Sequence, residues 1–225
     1  RTGTDARERC HPHRQRRGPR ERTVISLRSA ALAAVVAVSL VLAACGGDEH
    51  TFAGYERTPT PNVADLSLPS VEADGSQTPF NFVAEEGGLL LVYFGYTRCP
   101  DVCPTTLADV RQALRDIGDD ADRVDLAMVS IDPLVDTPEI LTNYVRSFVD
   151  GSVALRSEDE AVLRPVANGF GADYGTTEVD GDSEVFHTAS LYAIDDRGDM
   201  VLIWSFGTPA SGIAADLEHL LDQVA

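Results

Sequence analysis

The sequence predicts a single α/β domain over residues 65–225, and three observations predict it. Two runs of strand length, Leu89–Phe94 and Val124–Ile131, are almost wholly apolar, as expected of strands covered on both faces of a sheet. Segments with apolar residues at helical spacing alternate with such strands, which implies crossover connections and a largely parallel central sheet. A stretch of about 160 residues is also a comfortable size for one hydrophobic core.

The elements follow in order. Val71–Phe82 holds Asp74-Gly75 between two short extended stretches, a hairpin signal. Leu89–Phe94 is the first buried strand. A helix from Pro104 to Ile117 carries Leu107, Val110, Ala113, Leu114 and Ile117 on one face, and Val124–Ile131 is the next strand. Thr137-Pro138-Glu139 reads as an N-cap, a proline at the first helical position and an acid in the first turn. This start opens a helix with Ile140, Leu141, Tyr144, Val145 and Phe148. These capping roles account for Asp132, Asp136 and Pro138 without assigning them chemistry. A short strand at Val153–Leu155 and a helix over Glu158–Phe170 come next, and Asp173–Glu184 reads as a solvated acidic loop. Thr188–Ile194 and Val201–Phe206 form a closing pair of strands around the turn Asp195–Asp199, and a final helix begins at Ser211. This order places a Cys pair at the junction of the first buried strand and its helix. It is that of a thioredoxin-like fold with an N-terminal β-hairpin and insertions.

Charge divides the chain further. All 18 basic residues are Arg; nine of them against three acids give residues 1–44 a charge of +6, and nine Arg against 33 acids give residues 45–225 a charge of −24. A polyanionic domain repels phosphate backbones, so nucleic acid is excluded as a partner. In the basic part, Arg20, Arg22 and Arg28 precede the uncharged run Ala30–Ala44, which is shorter than the ~20 residues that a membrane-spanning helix needs. Residues 1–44 are therefore expected to be a signal-peptide region that is removed. Leu42-Ala43-Ala44-Cys45-Gly46 resembles a bacterial lipoprotein box, with Cys45 as the lipidated mature N-terminus. Residues 45–64, rich in Thr, Pro and Gly, read as a flexible lipid-anchored tether. The expected location is the extracytoplasmic face of the cell membrane.

Two cysteines then remain for the domain, Cys99 and Cys103, in an exported and potentially oxidising setting. Placed where a strand runs into a helix, both sulfurs are expected at a helix N-terminus, where the dipole and free N–H groups favour thiolate; Arg98 adds to this and Asp101 opposes it. Such a pair can close to a disulfide or hold a metal. Of the remaining histidines, His50 falls in the tether and His219 in the final helix, both read as packing or solubility residues. Met128 reads as core filler and Met200, beside a turn, as a surface residue. His187 differs because it directly precedes a sheet strand whose leading loop faces the Cys helix. Two thiolates and one imidazole offer no fourth ligand for structural zinc, although zinc with an open position is chemically possible. Copper, as Cu(I) or Cu(II), suits the set better.

Three blocks carry a family resemblance. Phe94-Gly95-Tyr96-Thr97-x-Cys99-Pro100-Asp101-Val102-Cys103-Pro104, then Ser130-Ile131-Asp132-Pro133-x-x-Asp136-Thr137-Pro138, then His187-Thr188-Ala189 with Tyr192 and Gly198, resemble the signature blocks of the Sco/SenC family. That family comprises membrane-anchored, thioredoxin-fold copper proteins that help assemble the copper centre of cytochrome c oxidase. The resemblance covers about residues 64–225 and implies copper ligation by Cys99, Cys103 and His187. It also implies delivery to the copper-binding subunit of cytochrome c oxidase, with other copper chaperones or thiol reductants as further partners. Two departures stand out: no Lys precedes Leu89, and Phe186 stands where the family often has an acid before the His. A second reading is an extracytoplasmic thiol:disulfide oxidoreductase that reduces oxidase-subunit cysteines before metallation; it needs the redox pair Cys99 and Cys103 but not His187.

Overall fold

The computed structural model describes residues 50–179 and 182–224. The region 1–44 read as a signal peptide, and Cys45, lie outside them. Among the described residues no helix is long and apolar enough to cross a membrane.

The central sheet has seven strands: β1 (Ser67–Val71), β2 (Gln77–Asn81), β3 (Leu89–Gly95), β4 (Val124–Ser130), β5 (Val153–Leu155), β8 (Ser190–Ile194) and β9 (Met200–Ser205). Their spatial order is β2-β1-β5-β4-β3-β8-β9. Strands β3, β4 and β5 run parallel, while β8 and β9 add antiparallel to the β3 side and β1 to the β5 side. Helices α1 (Val102–Asp116), α2 (Pro138–Phe148), α3 (Glu160–Phe170) and α4 (Ala210–Gln223) connect and close it, with a 3-10 turn at Gly118–Arg123.

Strand β3 explains why the sheet has two cores. Its residues alternate sides: Leu89, Leu91 and Tyr93 pack with Leu107 and Val110 of α1, Val145 of α2 and Leu217 of α4, whereas Leu90, Val92 and Phe94 pack with Val166 and Phe170 of α3. Both faces of every central strand are thus withdrawn from water, which is why the sequence of β3 is unbroken in apolar character. Thr137 caps α2 as its spacing predicts, its hydroxyl accepting from the Ile140 N–H at 3.3 Å. Helix α3 ends on Gly171 at φ 70°, a left-handed cap that costs glycine little.

The structure departs from the sequence expectations in four places. Helix α1 starts at Val102, so Pro104 occupies its third position, still within the turn whose N–H groups have no helical acceptor. The segment read as an acidic loop forms a two-stranded ribbon, β6 (Tyr174–Val179) with β7 (Asp182–His187), paired from Tyr174↔His187 to Val179↔Asp182. Tyr174 and Val185 tie the ribbon to the core, but Gly175-Thr176-Thr177-Glu178 leaves no two-residue apolar alternation to read. Met200 is buried at 1% exposure rather than at the surface, since β9 begins one residue earlier than predicted. Residues 50–64, read as flexible, run along β9: Tyr55 bridges Ile203, Asn62 bridges Asp199, and Val63 is buried. At its start the run is anchored by the Asp216 carboxylate on α4, which accepts from the N–H groups of Ala53 and Gly54 at 3.1 and 2.9 Å and pairs with His50 Nε2 at 2.8 Å; further on, backbone bonds to Ile203, Met200 and Gly198 hold it.

Candidate metal centre

Strand β3 delivers the chain to the Cys loop through Gly95, and only glycine fits. A Cβ there would meet Tyr93 Cε1 at 2.8 Å, Cys103 Sγ at 3.0 Å and Met128 Cε at 3.2 Å. The loop Tyr96–Asp101 then turns back over the strand, and Cys103 enters the first turn of α1. Cys99 lies just before that helix, where its Sγ accepts the Cys103 N–H at 3.3 Å. The sulfur thereby takes one of the N–H groups that a helix start leaves unpaired.

His187 arrives from a different element. It ends β7, opposite Tyr174, and the ribbon carries it over the Cys loop. Its Nε2 lies 3.5 Å from Cys103 Sγ, and its ring stands edge-on to those of Tyr93 and Tyr96. Its Nδ1 lies 3.2 Å from the carbonyl oxygen of Thr188. A carbonyl only accepts, so the proton sits on Nδ1 and the Nε2 lone pair is free for a ligand. In many metal sites a carboxylate orients the imidazole; here Phe186 occupies the preceding position, half out in solvent, and a backbone carbonyl serves instead.

The one His/Cys/Asp/Glu cluster among the described residues with three possible ligand atoms close together is therefore Cys99, Cys103 and His187, all within 4.8 Å of one another. Both cysteines are free thiols. Donors shared by one ion at ~2.0 Å from nitrogen and ~2.3 Å from sulfur stand ~3–4 Å apart, so the Cys103–His187 separation fits a common metal without rearrangement. An open cleft of about 270 Å³ leads to the cluster, lined by Tyr96, Cys99, Pro100, Val185, Phe186 and His187 among others.

Electrostatics at the cluster differ from the sequence expectation. Burial pushes the Cys103 thiol up to about 12, outweighing the Tyr96 N–H and the Tyr93 hydroxyl that favour its anion. The helix start therefore does not make Cys103 a free thiolate, because a buried charge without a counter-ion is disfavoured more strongly than a helix end can repay. Arg98 adds little here. It is largely exposed and faces Asp132 at 3.7 Å. Burial lowers the His187 imidazole below its usual range, against the carbonyls of Thr188 and Phe94, so the ring is neutral and able to coordinate at pH 7.

Met128 is fully buried core, as its strand position suggests, and His50 and His219 stack on each other at 4.4 Å on α4, away from the cluster in the contacts they make. Two groups that sequence reasoning treated as plain core or capping residues prove to frame the site. Tyr93 lies beneath Cys103, and Asp136, fully buried, holds Thr97 two residues before Cys99. The block Asp132–Pro138 was legible as a helix start, but nothing in its spacing pointed to the Cys loop.

Comparison with known proteins agrees with this architecture. The chain is 31% identical to the apo Sco1 protein of Thermus thermophilus, whose solution structure superposes with a TM-score of 0.64 over 77% of this chain and 99% of that one. It is 32% identical to Bradyrhizobium japonicum ScoI, solved with copper bound, at a TM-score of 0.57 over 68% of this chain and 96% of that one. The human mitochondrial SCO1 homolog is 36% identical over 135 residues, which make up 58% of this chain and 44% of the human one, so the match spans less than half of that relative. The SCO1/SenC family model matches residues 73–222. A family model that matches two thirds of the chain, on a fold shared with these structures, shows that the chain belongs to the SCO1/SenC family.

Proposed function

We propose that this protein is a membrane-tethered, extracytoplasmic copper metallochaperone that binds copper through Cys99, Cys103 and His187. It delivers the ion to the copper-binding subunit of cytochrome c oxidase. The observation that carries this reading is the convergence of two sulfurs and one imidazole nitrogen within 4.8 Å at the end of an open cleft. Soft thiolates with a borderline imidazole suit Cu(I), which is content with two or three ligands, and admit Cu(II) with an added weak ligand. Copper is cargo, and the site suits transfer: Cys99 borders the cleft, so acceptor thiolates can approach from solvent and replace the donor's sulfurs one at a time. Cys45 as the lipidated N-terminus would hold the domain at the membrane. Copper supply falls to upstream copper chaperones, and maintenance of the thiols to reductants.

A second activity has its own support, because Cys99 and Cys103 stand close together with no bond between their sulfurs. Acting as a thiol:disulfide oxidoreductase, the pair would transfer two electrons and two protons to a client disulfide and form the Cys99–Cys103 disulfide. The two readings separate in cells that lack this protein and grow on limiting copper. Under the copper reading, His187→Ala and Cys99→Ser both fail to restore cytochrome c oxidase activity. Restoration by His187→Ala alone would favour the oxidoreductase.

A further inference from the structure

Strand β3 sends Tyr93 to the same side of the sheet as Gly95, beneath the Cys loop, with its side chain fully buried. Among the described residues its hydroxyl is one of two buried side-chain polar atoms without a hydrogen-bond partner, the other belonging to Tyr144. Native proteins rarely bury a hydroxyl unpaired, so each exception points to something that completes it. The position of the ring indicates what that is. A Cβ on Gly95 would lie 2.8 Å from Tyr93 Cε1 and 3.0 Å from Cys103 Sγ, so the phenol edge and the sulfur border the same small space. The Thr106 hydroxyl is also nearby, but it donates to the Val102 carbonyl at 2.9 Å and makes no hydrogen bond with Tyr93.

A thiol sulfur is a weak acceptor, whereas a sulfur bound to a metal carries anionic charge and accepts far better. We propose that Tyr93 is a positioning residue of the copper site, its hydroxyl donating to the Cys103 sulfur when that sulfur holds the metal. The polar atom left over in the metal-free fold is thereby completed on loading. This inference rests on the reading of Cys99, Cys103 and His187 as a copper site. Outer partners of this kind orient a ligand and tune its donor strength.

The test compares the reduced parent protein with Tyr93→Phe, an isosteric change that removes only the hydroxyl. Three quantities are measured: the thermal midpoint without metal, Cu(I) affinity by competition with a chelator, and the absorption of the Cu(II) form. The expected result is an equal or higher midpoint, since an unpaired buried group is gone, with Cu(I) affinity lowered about tenfold. The sulfur-to-Cu(II) charge-transfer band should move to lower energy. Parent-like affinity and band position would overturn the assignment, as would an affinity loss that only follows a lowered midpoint. A parent protein that binds no copper would sink the copper site itself and this assignment with it; a parent that binds copper equally with Tyr93→Phe sinks this assignment alone.

Discussion

The carboxylate of Asp136 accepts two hydrogen bonds from Thr97, from the backbone N–H at 3.2 Å and from the hydroxyl at 2.5 Å. It also takes the Ser130 hydroxyl at 2.7 Å, while Arg156 Nε donates to the Asp136 backbone carbonyl at 2.8 Å. A fully buried acid thus ties the loop before Cys99 to the end of β4 and the start of α2. Replacing Asp136 by Asn puts an amide donor against one of the two hydroxyls and the Thr97 N–H. We expect a loss of about 2 kcal/mol in urea unfolding and faster hydrogen exchange at the Thr97 amide. Unchanged exchange there would mean that Asp136 does not hold the loop.

Gly95→Ala tests the crowding under the cluster. The new methyl would lie 2.8 Å from Tyr93 Cε1, closer than real side chains stand, and 3.0 Å from Cys103 Sγ, a tight contact, so the ring must move and the sulfur must give a little. Destabilisation of about 1–3 kcal/mol is expected, together with weaker copper binding, read by thermal melts and chelator competition. Parent-like copper affinity would show that Cys103 keeps its place despite the methyl.

Proton linkage gives a third expectation. With the Cys103 thiol at about 12 and a neutral His187, metal at pH 7 must displace the Cys103 proton, and the imidazole contributes none. Apparent Cu(I) affinity should rise with pH by at least tenfold per unit between pH 7 and 9, with proton release visible in weakly buffered calorimetry. In the metal-free protein the sign is opposite. Cys103 ionises at about 9 when unfolded and about 12 when folded, so its contribution is complete below pH 9 and is lost as pH climbs toward 12. A copper affinity independent of pH would contradict this account of Cys103.

The segment before β1 offers a fourth test. Asp216 is 1% exposed and accepts from Trp204 Nε1 at 2.8 Å besides Ala53, Gly54 and His50. Asp216→Ala leaves those donors unpaired. Hydrogen exchange at Ala53 and Gly54 should accelerate while the Thr97 amide stays protected, because the two carboxylate networks share no residue. Protection retained at Ala53 would place the hold on this segment elsewhere.

Much of this molecule was legible in its sequence, and the pattern of what was not has a physical reason. Strands β3 and β4 announce themselves because both of their faces are buried, and α2 because Thr137 and Pro138 mark its start. The Cys pair and His187 stand out because those side chains are scarce in the chain. The ribbon β6–β7 and the run of residues 50–64 were missed because backbone pairing and distant polar groups such as Asp216 and Asp199 hold much of them, and neither leaves a hydrophobic period. Asp136 and Tyr93 were recognised as a capping-block residue and a core residue. Their closeness to the Cys loop arises from pairing between β3 and β4, which no local spacing encodes.

The central claim is that Cys99, Cys103 and His187 act as one copper site. Its most direct test is the Cu(II) affinity and stoichiometry of the reduced protein beside those of His187→Ala. The account predicts one copper per chain in the parent and a loss of affinity of at least tenfold in the variant, as removal of one of three ligands requires. Equal affinity in the two proteins would contradict the three-ligand site.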